Sequence, residues 1–273
     1  MRWLVHGDCH GNFNWLDNFK DYEQEKTGFI ILGDAGFNFY LNESDDRLKE
    51  YVESFNFPIY CVRGNHEQRP ELIKGMRCIF DLRVKNQVYY QPQYPHIHYL
   101  IDGYDYTFND HKALVLGGAY SVDKWFRLAG RDPDTTHWTG WFKYEQLTDL
   151  EKDVILTKVT GKTYDFILSH TCPIQWEPTD LFLSGINQSK VDKSMEEWLG
   201  ALVNRKTFNW FIWLFGHYHA DRIERSHVEQ FFTDTEDLEN IYKRWCNFDR
   251  DPETLEWWIV KSPKFGEWQY DTD

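Results

Sequence analysis

Residues 29–34 of this chain read FIILGD, an apolar run that ends directly in a glycine and an aspartate. The arrangement recurs, because other apolar runs lead into short polar motifs at residues 3–5, 59–62, 113–116, 166–168 and 211–215. Short apolar runs with such abrupt ends are typical of strands that are buried on both faces. The sequence therefore predicts six central strands, each with polar residues just beyond its end.

Amphipathic segments separate several of these runs. Residues 12–25, 44–55 and 189–205 each place apolar side chains on one face, and Ser44 is a suitable N-terminal cap for the second segment. Because strands and helices alternate, the sequence predicts an α/β fold.

The polar motifs are spread over most of the chain, so a single site that gathers them favours one domain over residues 1–273. Residues from about 226 follow the last motif and carry no chemical motif of their own. We expect them to form a C-terminal extension, with a helix at 234–245 and then a tryptophan-rich strand or tail.

The motifs contain the donors that a site for two metal ions needs. In chain order they are Asp8-Cys9-His10, Gly33-Asp34, Gly64-Asn65-His66-Glu67, Ser169-His170 and Gly216-His217-Tyr218-His219. Oxygen and nitrogen donors of this kind suit manganese, iron, zinc or nickel better than calcium. The sequence therefore predicts two divalent transition-metal ions, with manganese as the first choice.

The spacing of these residues along the chain suggests a role for each donor. Asp8 and His10 lie two residues apart and can point the same way from an extended loop, and Asp34 is the carboxylate placed to bridge the ions, which in two-metal sites lie about 3.5–4 Å apart. The remaining ligands are predicted to be Asn65, His170, His217 and His219. His66 follows Asn65 directly, and we expect it to protonate the leaving oxygen as a general acid.

As an ordered set, D-x-H, G-D, G-N-H-E, S-H and G-H-x-H resemble the motifs of the calcineurin-like metallophosphoesterase superfamily over positions 8–219. The resemblance implies a four-layer sandwich of two mixed β-sheets flanked by helices. It also implies a ligand set for each ion: Asp8, His10, Asp34 and His219 for one, and Asp34, Asn65, His170 and His217 for the other. A metal-bridging hydroxide would then attack phosphorus, with His66 as the proton donor.

One departure from that family bears on the substrate. Where the protein Ser/Thr phosphatase branch continues G-D-x-x-D-R-G, residues 33–39 read GDAGFNF, so Phe37 replaces the aspartate that orients the catalytic histidine and Asn38 replaces a phosphate-gripping arginine. The sequence leaves three candidate phosphate contacts: Arg63, Lys124 and Arg127. For Lys124 and Arg127, a solvated helix start is an equal alternative.

Composition limits the partners. The 273 residues carry 30 basic and 44 acidic side chains, a formal net charge of -14, which opposes stable binding of nucleic acid. Five cysteines without C-x-x-C spacing indicate a reducing compartment, and no apolar run approaches the roughly 18 residues of a membrane span. We expect a cytoplasmic protein that does not bind membranes, of undetermined oligomeric state.

The sequence thus predicts a metal-dependent hydrolase of phosphate esters, without separating a phosphatase from a phosphodiesterase. One alternative is a metal-dependent nuclease, against which the acidic charge counts. A second is a non-catalytic protein-binding scaffold of the same fold, which should have lost ligands, whereas none is missing here.

Overall fold

The computed structural model describes residues 1–129, 140–224 and 227–250, which form thirteen strands and five α-helices. The strands are β1 (Arg2–His6), β2 (Thr27–Ile31), β3 (Ile59–Cys61), β4 (Arg77–Asp81), β5 (Asn86–Gln91), β6 (Tyr94–Leu100), β7 (Asp105–Phe108), β8 (His111–Leu116), β9 (Thr163–Ser169), β10 (Asn209–Phe215), β11 (Arg222–Glu224), β12 (Val228–Gln230) and β13 (Thr235–Asp237). The helices are α1 (Glu43–Glu53), α2 (Lys124–Ala129), α3 (Asp149–Val159), α4 (Ser194–Asn204) and α5 (Leu238–Arg250). Each helix in the described residues is too short or too polar to cross a bilayer.

The strands form two mixed sheets. The seven-stranded sheet has the order β13-β1-β2-β3-β6-β5-β4, and the six-stranded sheet has the order β11-β12-β10-β9-β8-β7. The neighbours among β1, β2, β3 and β6 are parallel, as are β8, β9, β10 and β12, while the other pairs are antiparallel. All six strands predicted from the apolar runs are present, as β1, β2, β3, β8, β9 and β10.

Both faces of the central strands are buried, which explains why their sequences are apolar throughout. Ile30 packs in a cluster shared by the two sheets, whereas its neighbours Phe29 and Ile31 pack in a second cluster with residues of α1. A third cluster joins the outer face of the second sheet to α3 and α4. Helices, sheet, sheet and helices therefore form four layers, as the family resemblance implied.

Two of the three predicted helical segments differ in the structure. Residues 12–25 contain 3-10 turns at Asn14–Phe19 and Gln24–Lys26 instead of an α-helix. Residues 189–205 begin with a 3-10 turn, and α4 starts only at Ser194. In α1 the cap is Asn42, whose side chain accepts a hydrogen bond from the Ser44 amide, so Ser44 lies inside the helix.

The segment after the last motif completes both sheets. β12 pairs with β10, and β13 pairs antiparallel with β1, Leu4 lying opposite Asp237. The helix predicted at 234–245 is instead β13 followed by α5, which ends at Arg250. The predicted tryptophan-rich strand or tail lies outside the described residues.

Candidate metal centre

The motif loops leave the carboxyl ends of the parallel strands and meet in one place. The amide of His10 donates to the Asp34 carbonyl over 2.8 Å, and the amide of Gly216 donates to the His170 carbonyl over 2.9 Å. Backbone φ is positive at four non-glycine motif residues: His10 (45°), Asp34 (47°), His217 (70°) and His219 (52°). Strained non-glycine residues of this kind concentrate at functional sites.

Asp34 lies at the centre of the cluster. Its Oδ1 accepts hydrogen bonds from the amides of Asn65 and His66, each at 2.8 Å. Its Oδ2 is buried and receives no hydrogen bond from the described residues. The Nε2 atoms of three histidines face this oxygen, at 3.4 Å for His170 and 4.0 Å for both His10 and His66. A buried carboxylate oxygen left without a donor is what a metal ligand looks like before its ion is added.

Three glycines leave room for the donors. A Cβ on Gly33 would lie 2.0 Å from His170 Nδ1, and a Cβ on Gly64 would lie 1.9 Å from Asp34 Oδ1. A Cβ on Gly216 would lie 2.2 Å from an oxygen of Asp8. Any side chain at these positions would displace a candidate ligand. The three glycines are therefore required for this arrangement of the ligands.

One group of possible ligand atoms surrounds Asp8. Asp8, His10 and His219 offer donor atoms that all lie within 4.8 Å of one another. The Nε2 atoms of His10 and His219 are 2.9 Å apart. Two ring nitrogens this close can both act as acceptors only if a cation lies between them. Asp8 itself is fixed by the His217 amide, which donates to both carboxylate oxygens.

A second group contains Asp8, Asp34 and His170, within the same 4.8 Å limit. Because His170 Nδ1 is 2.8 Å from the Leu32 carbonyl, it must donate there, and Nε2 carries a lone pair when the ring is neutral. That lone pair faces Asn65 Oδ1 at 2.8 Å. A cation would fit between these two acceptors when the ring is neutral, whereas a protonated Nε2 donates to Asn65 Oδ1 instead.

The orientation of the Asn65 amide is set by two residues that carry no recognisable motif role. Asn65 Nδ2 donates to Ser121 Oγ over 2.9 Å, and Ser121 Oγ donates to the Glu145 carboxylate over 2.6 Å. Both partners are buried. The chain of bonds turns Oδ1 of Asn65 towards His170, as a metal ligand requires.

The electrostatics of the site favour a cation. Burial alone would raise the pKa of Asp34, but the imidazoles of His170 and His66 hold it well below its ordinary value. Burial likewise opposes ionisation of Asp8, whose pKa is nevertheless lowered, chiefly by His170. For His170, burial lowers the pKa, but the carboxylates of Asp34 and Asp8 outweigh it and raise the pKa to about 9. Two ionised carboxylates therefore share a nearly dry site.

His217 lies beside the other predicted ligands but outside their compact groups. Its backbone amide binds Asp8, and its ring lies against the ring of His170, with centroids 5.0 Å apart. Burial, and then the neighbouring His170, lower the pKa of His217 to about 3, so its ring is neutral and able to coordinate. Neither compact ligand group found in the described residues includes His217.

His66 lies at the rim of the cluster, with 20% of its side chain exposed. Its Nε2 points towards Asp34, and its ring lies 5.4 Å from that of His10. Burial lowers the pKa of His66, with Asp34 opposing and Arg127 adding to the effect. It is therefore close to the candidate ligands and still reachable by a substrate.

The three cations suggested as phosphate contacts are all engaged within the protein. Arg63 is buried, and its guanidinium bonds Asp102, the Glu145 carbonyl and the Gly117 carbonyl. The ammonium of Lys124 lies 4.4 Å from the centroid of the Trp141 ring. Arg127 bonds His66, Asp123 and the Gly140 carbonyl.

The two positions that depart from the phosphatase pattern are also internal. Phe37 is fully buried and stacks on Phe13 with ring centroids 4.8 Å apart. Asn38 is buried, and its Oδ1 accepts a hydrogen bond from Lys49. Neither residue offers a group to a substrate.

Comparison with known proteins agrees with this geometry. The model of the family described as "Calcineurin-like phosphoesterase" matches residues 1–221. None of the curated proteins matches the chain. One solved crystal structure aligns with 88% of this chain and 95% of its own, at 11% identity and a TM-score of 0.46.

A second solved structure, "Putative 5'-Nucleotidase from Staphylococcus aureus in complex with alpha-ketoglutarate", aligns at 13% identity with a TM-score of 0.40. The alignment covers 85% of this chain but 48% of that one, so this chain spans about half of its length.

Proposed function

The chain belongs to the calcineurin-like phosphoesterase family, and from that membership we propose that it hydrolyses phosphate esters with two divalent metal ions. Membership in this family supports metal-dependent hydrolysis of phosphoesters in general. The observation that carries the two-ion proposal is Asp34 Oδ2, a buried oxygen without a hydrogen-bond donor among the described residues. The Nε2 atoms of His10 and His170, which belong to different ligand groups, lie 4.0 Å and 3.4 Å from it.

We assign the ligands in two groups. Asp8, His10 and His219 would hold one ion, and Asn65 and His170 the other, with Asp34 between them. His217 would complete the ligand group of the second ion, since its neutral ring lies beside that of His170. The geometry adds that Asp8 also approaches the second group, because its Oδ1 lies 3.9 Å from His170 Nδ1.

The ions, when bound, would polarise the phosphate oxygens and lower the pKa of water at the site. In hydrolysis, water oxygen becomes bonded to phosphorus, the bond from phosphorus to the ester oxygen breaks, and that oxygen needs a proton. We propose that His66 supplies it, and its partly exposed ring beside the cluster supports that role. Asp34 would place its negative charge between the two ligand groups.

The donor chemistry favours manganese, with iron, zinc or nickel as the alternatives. Both compact groups in the described residues consist of carboxylates and imidazoles, without a thiolate. Metal analysis after purification from metal-supplemented medium would separate these choices.

We propose small or accessible phosphate esters as substrates. The net charge of -14 opposes the multiple cationic contacts that hold a nucleic-acid backbone. In the structure, Arg63, Lys124 and Arg127 are all held by protein groups, so the ions would provide most of the attraction for phosphate.

The test is an activity screen of the metal-reconstituted protein on p-nitrophenyl phosphate, its bis ester, cyclic nucleotides and single-stranded DNA. We expect metal-dependent turnover of at least one small ester, abolished by Asp34→Asn and retained by Asp17→Asn, a change at a surface carboxylate that pairs with Lys20. A protein that is folded and metal-loaded but inactive on every ester would refute the hydrolase proposal. Processive degradation of DNA at 150 mM salt would favour a nuclease.

A further inference from the structure

The guanidinium of Arg127 contacts the ring of His66 and two further protein groups. Its Nη2 lies 2.6 Å from His66 Nδ1. Its Nε donates to Asp123 over 2.6 Å, and its Nη1 donates to the Gly140 carbonyl over 2.6 Å. The guanidinium also lies over the ring of Phe39, 5.6 Å from the centroid. Every nitrogen of the guanidinium is thus engaged.

The contact with His66 fixes which nitrogen of that ring carries a proton. A guanidinium has only donors, so His66 Nδ1 must accept the hydrogen bond. A neutral imidazole that accepts at Nδ1 carries its proton on Nε2. His66 Nε2 is the atom that faces Asp34 Oδ2, at 4.0 Å, and therefore faces the reacting centre.

We infer that Arg127 is a positioning residue, which holds the His66 ring with its donor nitrogen towards the substrate. The inference rests on the proposed hydrolase function, in which His66 gives a proton to the leaving oxygen. Asp123 and the Gly140 carbonyl hold the guanidinium in place, so the unit consists of an acidic residue, an arginine and a histidine. Phe37, which stands where the protein Ser/Thr phosphatase branch has the aspartate that orients the histidine, is buried and apolar and offers no polar group for this task.

A role in positioning His66 and a role in binding phosphate make different predictions for the loss of Arg127. If the guanidinium gripped phosphate, its loss would raise KM whether or not His66 is present. If it acts through His66, its loss should lower kcat, and only while His66 is present. A double-variant cycle separates the two, because residues that act as one unit are strongly non-additive.

The first measurement requires no variant and no activity. Nitrogen NMR of the labelled imidazoles, on the full chain without metal and again with diamagnetic zinc, should show His66 protonated at Nε2 and unprotonated at Nδ1. A proton on Nδ1 would overturn the inference and leave the hydrolase proposal intact. In Arg127→Gln, which shortens the side chain and removes the charge, we expect the preference between the two tautomers to weaken.

The second measurement is kinetic, with phenyl phosphate and p-nitrophenyl phosphate as substrates. Arg127→Ala should lower kcat on phenyl phosphate by about 10- to 100-fold, and by less on p-nitrophenyl phosphate, whose leaving group hardly needs a proton. In a His66→Ala background the same change should alter kcat/KM by less than about 2-fold. Arg47→Ala is the matched control, since Arg47 forms an exposed i,i+4 pair with Glu43 and should leave activity unchanged.

An equal rise in KM in both backgrounds, with kcat unchanged, would show that Arg127 binds phosphate and would overturn the positioning role. An inactive wild-type protein would instead refute the proposed function, and the NMR measurement would still decide the state of His66. If Arg127→Ala does not fold, Arg127→Gln replaces it in the cycle.

Discussion

Replacing Ser121 by alanine should weaken metal binding without touching a ligand. In the structure Asn65 Nδ2 donates to Ser121 Oγ over 2.9 Å, which keeps Oδ1 of the amide turned towards His170 Nε2 at 2.8 Å. Without the hydroxyl, Nδ2 of Asn65 loses its acceptor, so the amide is no longer fixed from that side. A metal ion bound by Oδ1 would then have to order the amide while Nδ2 stays without that acceptor.

The size of the effect follows from one hydrogen bond. Leaving the buried Nδ2 of Asn65 without its acceptor, Ser121 Oγ, should cost about 1–2 kcal/mol. That free energy corresponds to roughly 5- to 30-fold weaker binding, which overlaps the 10- to 100-fold range typical when an outer partner of a metal ligand is removed.

The assay is competition for Mn²⁺ or Zn²⁺ against a chromophoric chelator, which resolves the two metal equivalents. One equivalent should weaken by the amount above, and the other should change less, because Asn65 reaches only one ligand group. Ser54→Ala is the control, since the Ser54 hydroxyl bonds a backbone carbonyl on the exposed end of α1. Dissociation constants within 2-fold of wild type for both equivalents would refute the argument that Ser121 orients the amide.

Three further outcomes are expected. Gly33→Ala, whose Cβ would lie 2.0 Å from His170 Nδ1, should lower the free energy of unfolding by about 4 kcal/mol or more and reduce metal content. The control is Gly161→Ala, where φ is +76° and the space is open, and which should lower the free energy of unfolding by about 1–3 kcal/mol. Equal losses in the two variants would contradict the clash with His170. Burial, opposed by Asp81, holds the pKa of His98 at about 4, so stability present above about pH 6.5 should be lost as the pH falls towards 4, by at most about 3 kcal/mol. Urea unfolding of His98→Gln should show a flatter pH dependence than wild type over that window, and parallel curves would contradict it. His66→Ala should lower kcat by roughly 10²-fold with unchanged metal content, and loss of one metal equivalent would show that His66 is a ligand.

Much of the fold could be predicted from periodicity, because buried parallel strands leave an unmistakable apolar pattern. The helices were harder to predict. Phe13, Leu16, Phe19 and Tyr22 lie three residues apart, a spacing that suits a 3-10 turn better than an α-helix with 3.6 residues per turn. The sequence also did not show that Thr235–Asp237 would pair with β1, since three polar residues carry no strand pattern.

The candidate ligands could be predicted because each follows a strand in a short recognisable motif. Their supporting residues could not. Glu145 meets Ser121 across 24 positions, and Arg127 meets His66 across 61 positions, so these contacts depend on the tertiary fold. In the sequence, Arg127 stood out only as a candidate phosphate contact, and Ser121 only by lying five residues beyond the apolar run at 113–116.

Metal stoichiometry is the measurement that tests the account most directly. The purified full chain, reconstituted with manganese and freed of excess metal, should contain two ions per chain by elemental analysis. Asp34→Asn, which keeps the shape of the side chain but removes the charge between the two ligand groups, should remain folded and lose at least one of them. Folded wild-type protein that holds one ion or none would contradict the two-metal site.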